Sequence, residues 1–438
     1  MEVSSAKLFL VASLGAPTMF FASHAWAGAF YLQEQSVRGA GRAYSGEVAD
    51  QGTASLWWNP AAIASVKDKE IYVGANAVLV KSRLNDTGST LTRPAIAGGA
   101  TVAVGGASRV SDPVEDGVVP NFASAYRLND RLVVGLSVGA PFNFTNKPDA
   151  GSWNRYDNLK SKLTTADVQG TLAYRLTDQL DVGLGLSARY TNAELSTALP
   201  NLSSALPDGV STLKGDGAWD FGWSVGAQYH PSKRLTLGAS YRSAIKNKID
   251  GRIEVTGLLG PLAGSNVSAD GVGKVTMPWI ATLGARWAVN ERLTANVSVT
   301  RTGWSKWDEI VIDYPGHESI SPQGYKDTTN VALGVDYALT PKLTLRGGVQ
   351  YDPTPTPDIG RSTRIPDNDR MHYAVGASAQ LRQGLVLDLA ASYAHSKDGT
   401  IVRDETIYPG TAVATTLKTR ADATGSAVVL STGLRWSF

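Results

Sequence analysis

Four histidines follow residue 27: His230, His317, His372 and His395. They are scattered, and none stands at ligand spacing from a second histidine or a carboxylate cluster, so a metal site finds no donor set. A hydrolytic site would need a nucleophile, a base and an orienting group held together, and His230 sits within a turn pattern. The chain has no cysteine, which removes thiolate nucleophiles, iron–sulfur clusters and disulfide scaffolds. The pairs Gly98-Gly99 and Gly105-Gly106 lack the Lys-Ser/Thr of a phosphate loop. Lys and Arg number 41 against 39 Asp and Glu, a net charge of +2, which gives no footprint for nucleic acid. No cofactor is expected.

The chemistry must therefore lie in the elements themselves. Residues 1–27 read as a secretory signal: Lys7, an apolar stretch from Leu8 to Phe21, and Ala25-Trp26-Ala27 as the cleavage site. Beyond it no apolar run reaches the roughly 18 residues of a membrane helix. What alternates instead is single residues. Leu180, Val182, Leu184, Leu186, Ala188 and Tyr190 interleave with Asp181, Gly183, Gly185, Ser187, Arg189 and Thr191. Period two means strand, with one apolar and one polar face.

A turn pattern recurs six times: Tyr126 to Leu132, Tyr174 to Leu180, Tyr229 to Leu235, Trp287 to Leu293, Tyr337 to Leu343 and Leu381 to Leu385. Five of these turns begin on an aromatic residue of the apolar face, as in an interfacial girdle. The polar face carries Arg127, Arg175, Arg189, Arg242, Arg286, Arg346, Asp181, Asp220, Asp336 and Asp388, as expected of a wet or plugged lumen. The six turns are short, while the connections between them are long and polar. These features predict an all-β, 14-stranded antiparallel transmembrane β-barrel over 69–438, with both termini periplasmic. The first strand is expected over Glu70 to Val80 and the last over Ala427 to Phe438. Phe438 itself reads as the aromatic signal for barrel-assembly machinery.

Fourteen strands should leave a sizeable hole. Residues 28–68 lack strand alternation, are rich in Gly, Ala and Ser, and carry Trp57-Trp58, so they are expected to form an N-terminal plug. The third strand, Leu132 to Phe144, runs through Gly139, Ala140 and Pro141. Proline cannot donate to a ladder, and a closed barrel has no edge to shelter it, so a bulge or kink is expected, and with it a gap between lumen and lipid.

Several motifs now carry a resemblance: Gly28-Ala-Phe-Tyr-Leu32, Gly41-Arg-Ala-Tyr-Ser-Gly-Glu47, Asn59-Pro-Ala61, Tyr241-Arg-Ser243, Thr302-Gly-Trp-Ser305, Tyr325-Lys-Asp327 and Ile365-Pro-Asp-Asn-Asp-Arg370. In this order the chain resembles the long-chain fatty acid transporter (FadL) family of outer-membrane proteins, which includes aromatic-hydrocarbon uptake channels. The resemblance implies a monomer in the Gram-negative outer membrane, in contact with its lipid, that is not an enzyme. It passes hydrophobic small molecules, long-chain fatty acids first, from an external loop site to an apolar lumenal pocket and out when the hatch moves. It places the hatch at Gly41, Arg42, Tyr44, Ser45, Gly46, Glu47, Asn59, Pro60 and Ala61, and the lateral gap at Gly139, Ala140 and Pro141. Trp153, Arg155 and Lys160 are candidate ligand contacts in loops. The stretch after the fifth strand, Asn192-Ala-Glu194, and the loop Glu318 to Gln323 are not basic, which leaves a neutral aromatic hydrocarbon open as an alternative to a fatty acid. A barrel hydrolase is the alternative from another class.

Overall fold

The computed structural model describes residues 29–357 and 359–438; the expected signal over 1–27 lies outside them. The wall is built of fourteen strands. They are β1 (Lys69–Asp86), β2 (Gly117–Arg127), β3 (Leu132–Gly139), β4 (Lys160–Thr177), β5 (Leu180–Leu199), β6 (Gly209–Ser232) and β7 (Leu235–Arg242, continued by Ile245–Thr256). The second half comprises β8 (Val267–Met277 and Ile280–Ala288), β9 (Leu293–Thr302), β10 (Thr328–Thr340), β11 (Leu343–Asp352), β12 (Arg370–Arg382), β13 (Leu385–Ser396) and β14 (Thr415–Ser437). Each pairs antiparallel with its sequence neighbour. The register from Glu70↔Ser437 to Asp86↔Ala421 joins β1 to β14 and closes the ring. No helix among the described residues is long and apolar enough to cross a membrane.

The apolar face looks outward. Phe221 is 78% and Leu186 66% exposed, whereas Asp388 is fully buried and Arg189 is 1% exposed on the opposite face. Tyr126, Tyr174, Tyr229, Trp287 and Tyr337 are all exposed at the turn end, forming the aromatic ring that alternation predicts. The turns are held locally. In the β2–β3 and β8–β9 turns, the side-chain oxygens of Asn129 and Asn290 each accept two backbone N–H bonds from the residues two and three positions on.

The ladder outlasts the alternation. The first strand runs on to Asp86 rather than stopping at Val80, and the last begins at Thr415 rather than Ala427. Asn192-Ala-Glu194 lies within β5 rather than after it, and Glu318 to Pro322 belongs to a hairpin of Glu309–Tyr314 with His317–Pro322. Beyond the bilayer both faces of a strand can be polar, so the backbone stays paired where the hydrophobic signal has ended.

Residues 29–66 fill the interior with a short helix (Val37–Ala40) and three turns of 3-10 helix, and are buried except for Gln51 and, in part, Ser65.

Candidate functional site

The inner segment is held to the wall by charge and by close backbone packing. Arg42 is fully buried, and its guanidinium meets Glu47 and Asp50 at 2.5 Å each and Asp336 of β10 at 3.4 Å. Arg38 pairs with Asp50 at 3.0 Å, Arg286 with Asp336 at 3.0 Å, and Arg346 with Asp336 at 2.7 Å. Burial alone would raise the Asp50 carboxyl, but the guanidinium groups of Arg286, Arg38 and Arg42 hold it well below the usual carboxylate range. Gly41 lies against Gly376 of β12, where a side chain on either would collide with the other's Cα. Gly46 takes φ 69°, and its N–H donates to Ser298 on β9. Ser45 donates to the carbonyl of Arg42, and Tyr44 stacks on Trp58 at 5.7 Å.

Asn59, Pro60 and Ala61 begin a 3-10 turn over Pro60–Ser65. The Asn59 side chain accepts from the N–H of Ala61 and donates to the carbonyls of Val48 and, on β6, Ala227. One side chain thus caps a turn, ties two parts of the segment together and anchors both to the barrel.

Above this anchor the lumen is apolar. Phe30 lies in a box of rings, with centroids 4.7 Å from Trp307, 5.0 Å from Trp304, 5.6 Å from Phe144 and 6.0 Å from Phe142. Met277, Ile249 and Val275 belong to the same apolar cluster. Beside Phe30 a void of about 10 Å³ remains, the room of one water. Its wall is part apolar (Val114, Phe144, Ile365) and part polar (Asn146, Arg364, Asp367). The backbone N–H of Ala29 donates to Asp367 at 3.0 Å. Phe30 therefore fills this ring-lined space almost completely.

The same few residues meet the wall where its ladder fails. β3 pairs with β4 as far as Gly139↔Asp167, and pairing resumes over Asn143–Asn146 at Asn143↔Thr164, one residue out of step. On the other side, the β2–β3 ladder reaches only Phe122↔Val138, and the next contact is a single bridge between Val114 and Asn146. Pro120 of β2 borders this interval as Pro141 does, and neither has an N–H to offer. Inner-segment residues seal it. Tyr31 bridges Phe142, the Leu32 N–H donates to the Pro141 carbonyl at 2.7 Å, and the Asn143 N–H donates to the Phe30 carbonyl at 3.2 Å. The side-chain amides of Asn76 and Asn121 donate to the Glu34 carbonyl. Leu32 packs with Val78, Val119 and Ala140.

A family model described as outer membrane protein transport protein (OMPP1/FadL/TodX) matches residues 18–438. The chain belongs to that family. Among its relatives, outer membrane protein P1 of Haemophilus influenzae is 27% identical over 99% of both chains. A long-chain fatty acid transport protein of Escherichia coli is 28% identical over 90% of this chain and 93% of that one. A crystallised Pseudomonas aeruginosa FadL homologue superposes with a TM-score of 0.81 at 24% identity, covering 94% of this chain and all of the other. The toluene transporter TbuX of Ralstonia pickettii superposes at 0.62 with 17% identity, over 92% and 98% of the two chains. The chain is thus an outer-membrane barrel of the FadL/TodX family of channels for hydrophobic substrates.

Within this FadL-family barrel the loop residues singled out from sequence do not converge on the chamber. Trp153 is buried among Leu84, Val110 and Ile401 in a separate apolar cluster of the external cap. Arg155 pairs with Asp208 at 2.9 Å and lies over Tyr156, and Lys160 pairs with Glu194 at 2.8 Å. Two cations do border the chamber: Arg364, one residue before the Ile365 to Arg370 motif, lines the void beside Phe30, and Arg189, paired with Asp167 at 2.6 Å, lies over the Phe142 ring. The Arg364 side chain donates to the carbonyl of Asp157, whose carboxylate accepts from the N–H and hydroxyl of Thr363. His230 does find an acid and a hydroxyl, Asp181 at 3.2 Å and Thr236 at 3.1 Å. Arg175 shares that carboxylate, and the group ties neighbouring turns at the rim.

Proposed function

We propose that this protein passes long-chain fatty acids, or molecules of like oiliness, across the outer membrane without an energy source of its own, with residues 29–66 as the hatch. The observation that carries the reading is the double duty of residues 30–32. Phe30 fills the aromatic chamber, while Tyr31 and Leu32 bridge the interrupted third strand. Displacing them empties the pocket and uncovers the break in one movement. An apolar guest gains by leaving water for the ring-lined chamber, and gains again on entering the bilayer, so the protein need only lower the barrier between the two. Arg364 at the polar end of the chamber suits a carboxylate head, while the Asp367 carboxylate beside it is already met by Arg370 and the Ala29 N–H. The edge-to-face rings around Phe30 suit a flat hydrocarbon as well, which keeps an aromatic substrate as the second reading.

A reversible lock tests this. The chain has no cysteine, so Tyr31→Cys with Phe142→Cys would introduce the only thiols, at a directly opposed antiparallel pair. Oxidised protein in liposomes should take up labelled fatty acid at background rate, and reduction should restore uptake. Equal uptake by the oxidised and reduced forms would end the proposal.

A further inference from the structure

On the lipid side of β6 to β8 the outer aromatic belt passes directly into a cluster of cations. Trp219, Phe221 and Trp223 are exposed on β6. Tyr190 meets Trp219 at 5.8 Å, Trp223 meets Tyr241 at 5.3 Å, and Tyr241 stacks on Trp279 at 6.0 Å, so the belt is continuous over four strands. Just above it, Lys246 and Lys248 on the continuation of β7, and Lys274 on β8, are all exposed. Their height is fixed by Asp220, between Trp219 and Phe221, which accepts from the side chain of Asn247 and the N–H of Lys248. The intervening Asn247, Ile249 and Val275 are buried on the opposite face. The lysines therefore point away from the lumen, at the level where bilayer headgroups lie.

Their arrangement is costly unless something shares it. Lys248 stands directly opposite Lys274 in the ladder, a like-charge pair that destabilises a sheet. Lys248 reaches Asp250 at 3.0 Å and Lys274 reaches Asp313, but both pairs are largely exposed and easily exchanged for a stronger anion. No ion pair is recorded for Lys246 among the described residues. Beside the lysines an open hollow of about 520 Å³ is bordered by Asp250, Asp270, Asp313 and Tyr314. It combines acceptors for hydroxyl groups with an aromatic edge, as a sugar would require.

We infer that this face is a binding site for a phosphorylated glycolipid of the outer leaflet: acyl chains lie along the aromatic belt, a phosphate lies between Lys246, Lys248 and Lys274, and sugar hydroxyls enter the aspartate-lined hollow. The site is distinct from the transport route, since its side chains face the bilayer rather than the lumen. It would fix the barrel's height and neighbours in the leaflet whichever substrate passes inside.

The test compares the full-length protein with a Lys246→Gln, Lys248→Gln, Lys274→Gln variant and with the corresponding Lys→Arg triple, each checked for the heat-modifiable gel mobility of a folded barrel. The probes are a bisphosphorylated lipid A-type glycolipid, its dephosphorylated form, phosphatidylethanolamine and inorganic phosphate, with binding read by native mass spectrometry in detergent. The phosphorylated glycolipid should bind the wild type and the arginine triple. The glutamine triple should bind it roughly a hundredfold more weakly, at about fivefold per lysine. Equal binding by the glutamine triple, equal binding of the dephosphorylated glycolipid or phosphatidylethanolamine, or displacement by millimolar inorganic phosphate would each overturn the site.

Discussion

The amide of Leu32 donates to the carbonyl of Pro141 across 2.7 Å, so a residue of the inner segment completes a hydrogen bond that the barrel wall does not make with itself. At this point the wall and the seated segment share hydrogen bonds, with Asn143 donating in turn to the Phe30 carbonyl. Pro141→Val would return one missing donor to the wall, although Pro120 still lacks its own; Gly139 is left unchanged, because a Cβ there would displace the Gln35 side chain.

An Ala140→Thr, Pro141→Val double variant should therefore close the route while leaving the hatch in place. The restored donor, with the straighter ladder it permits, adds about 1–2 kcal/mol and biases the break shut by roughly 5- to 30-fold. Fatty acid uptake into liposomes should fall accordingly, with the folded barrel's gel mobility unchanged. Undiminished uptake would mean that solute leaves by another path.

The ion-pair network gives a second handle. Arg42→Met leaves Glu47 and Asp50 with fewer partners in a buried site, a loss of about 3–5 kcal/mol in seating the segment. Residues 29–66 should become open to protease, and ion conductance in planar bilayers should rise. Mild acid should not imitate the variant. Because the folded Asp50 carboxyl titrates well below its ordinary 3.8, its contribution is fully present above that value and is lost only as pH falls through the lower, folded one. Conductance should thus be flat between about pH 7 and 5, and a rise within that window would count against this seating.

How much of this could be read from the chain follows from the range of each signal. The wall was legible because period-two alternation is local, and Leu180 to Thr191 declares both faces without knowledge of any partner strand. Pro141 was legible for the same reason. Pro120 carries the same signal, a proline within a strand of a closed barrel, but nothing in the sequence shows that it borders the same interval. Arg42, Glu47 and Asp50 are near neighbours in the chain, whereas Arg286, Asp336 and Arg346 reach them only through barrel closure. Charge in the long loops does not show in sequence what it faces. Arg155 and Lys160 look available in sequence but are paired with Asp208 and Glu194, while Arg364 reaches the chamber because the Asp157–Thr363 contact draws two distant loops together.

On the proposed function, Arg364 is the residue by which a fatty acid and a neutral hydrocarbon can be told apart. Arg364 borders the void beside Phe30 together with Ile365, Phe144, Asn146 and Asp367, and the Asp367 carboxylate is already paired with Arg370 at 3.1 Å, so a ligand displacing Phe30 would meet Arg364 as the cation of that wall. Burial pulls its proton affinity down, and Asp157 and Glu405 offset this in part, so it stays charged across the physiological range. Arg364→Gln keeps an N–H donor at the place of Nε, toward the Asp157 carbonyl, while removing the charged end of the side chain. A charge-assisted hydrogen bond contributes about 1.5–3 kcal/mol, so the variant should bind a long-chain fatty acid about 10- to 100-fold more weakly. The methyl ester and a neutral hydrocarbon of equal length should bind it as they bind the wild type. Competition against a fluorescent fatty acid separates the cases. If acid and ester lose affinity together, Arg364 only supports the loops, and if neither changes, the chamber selects for oiliness alone, as the aromatic-hydrocarbon reading requires.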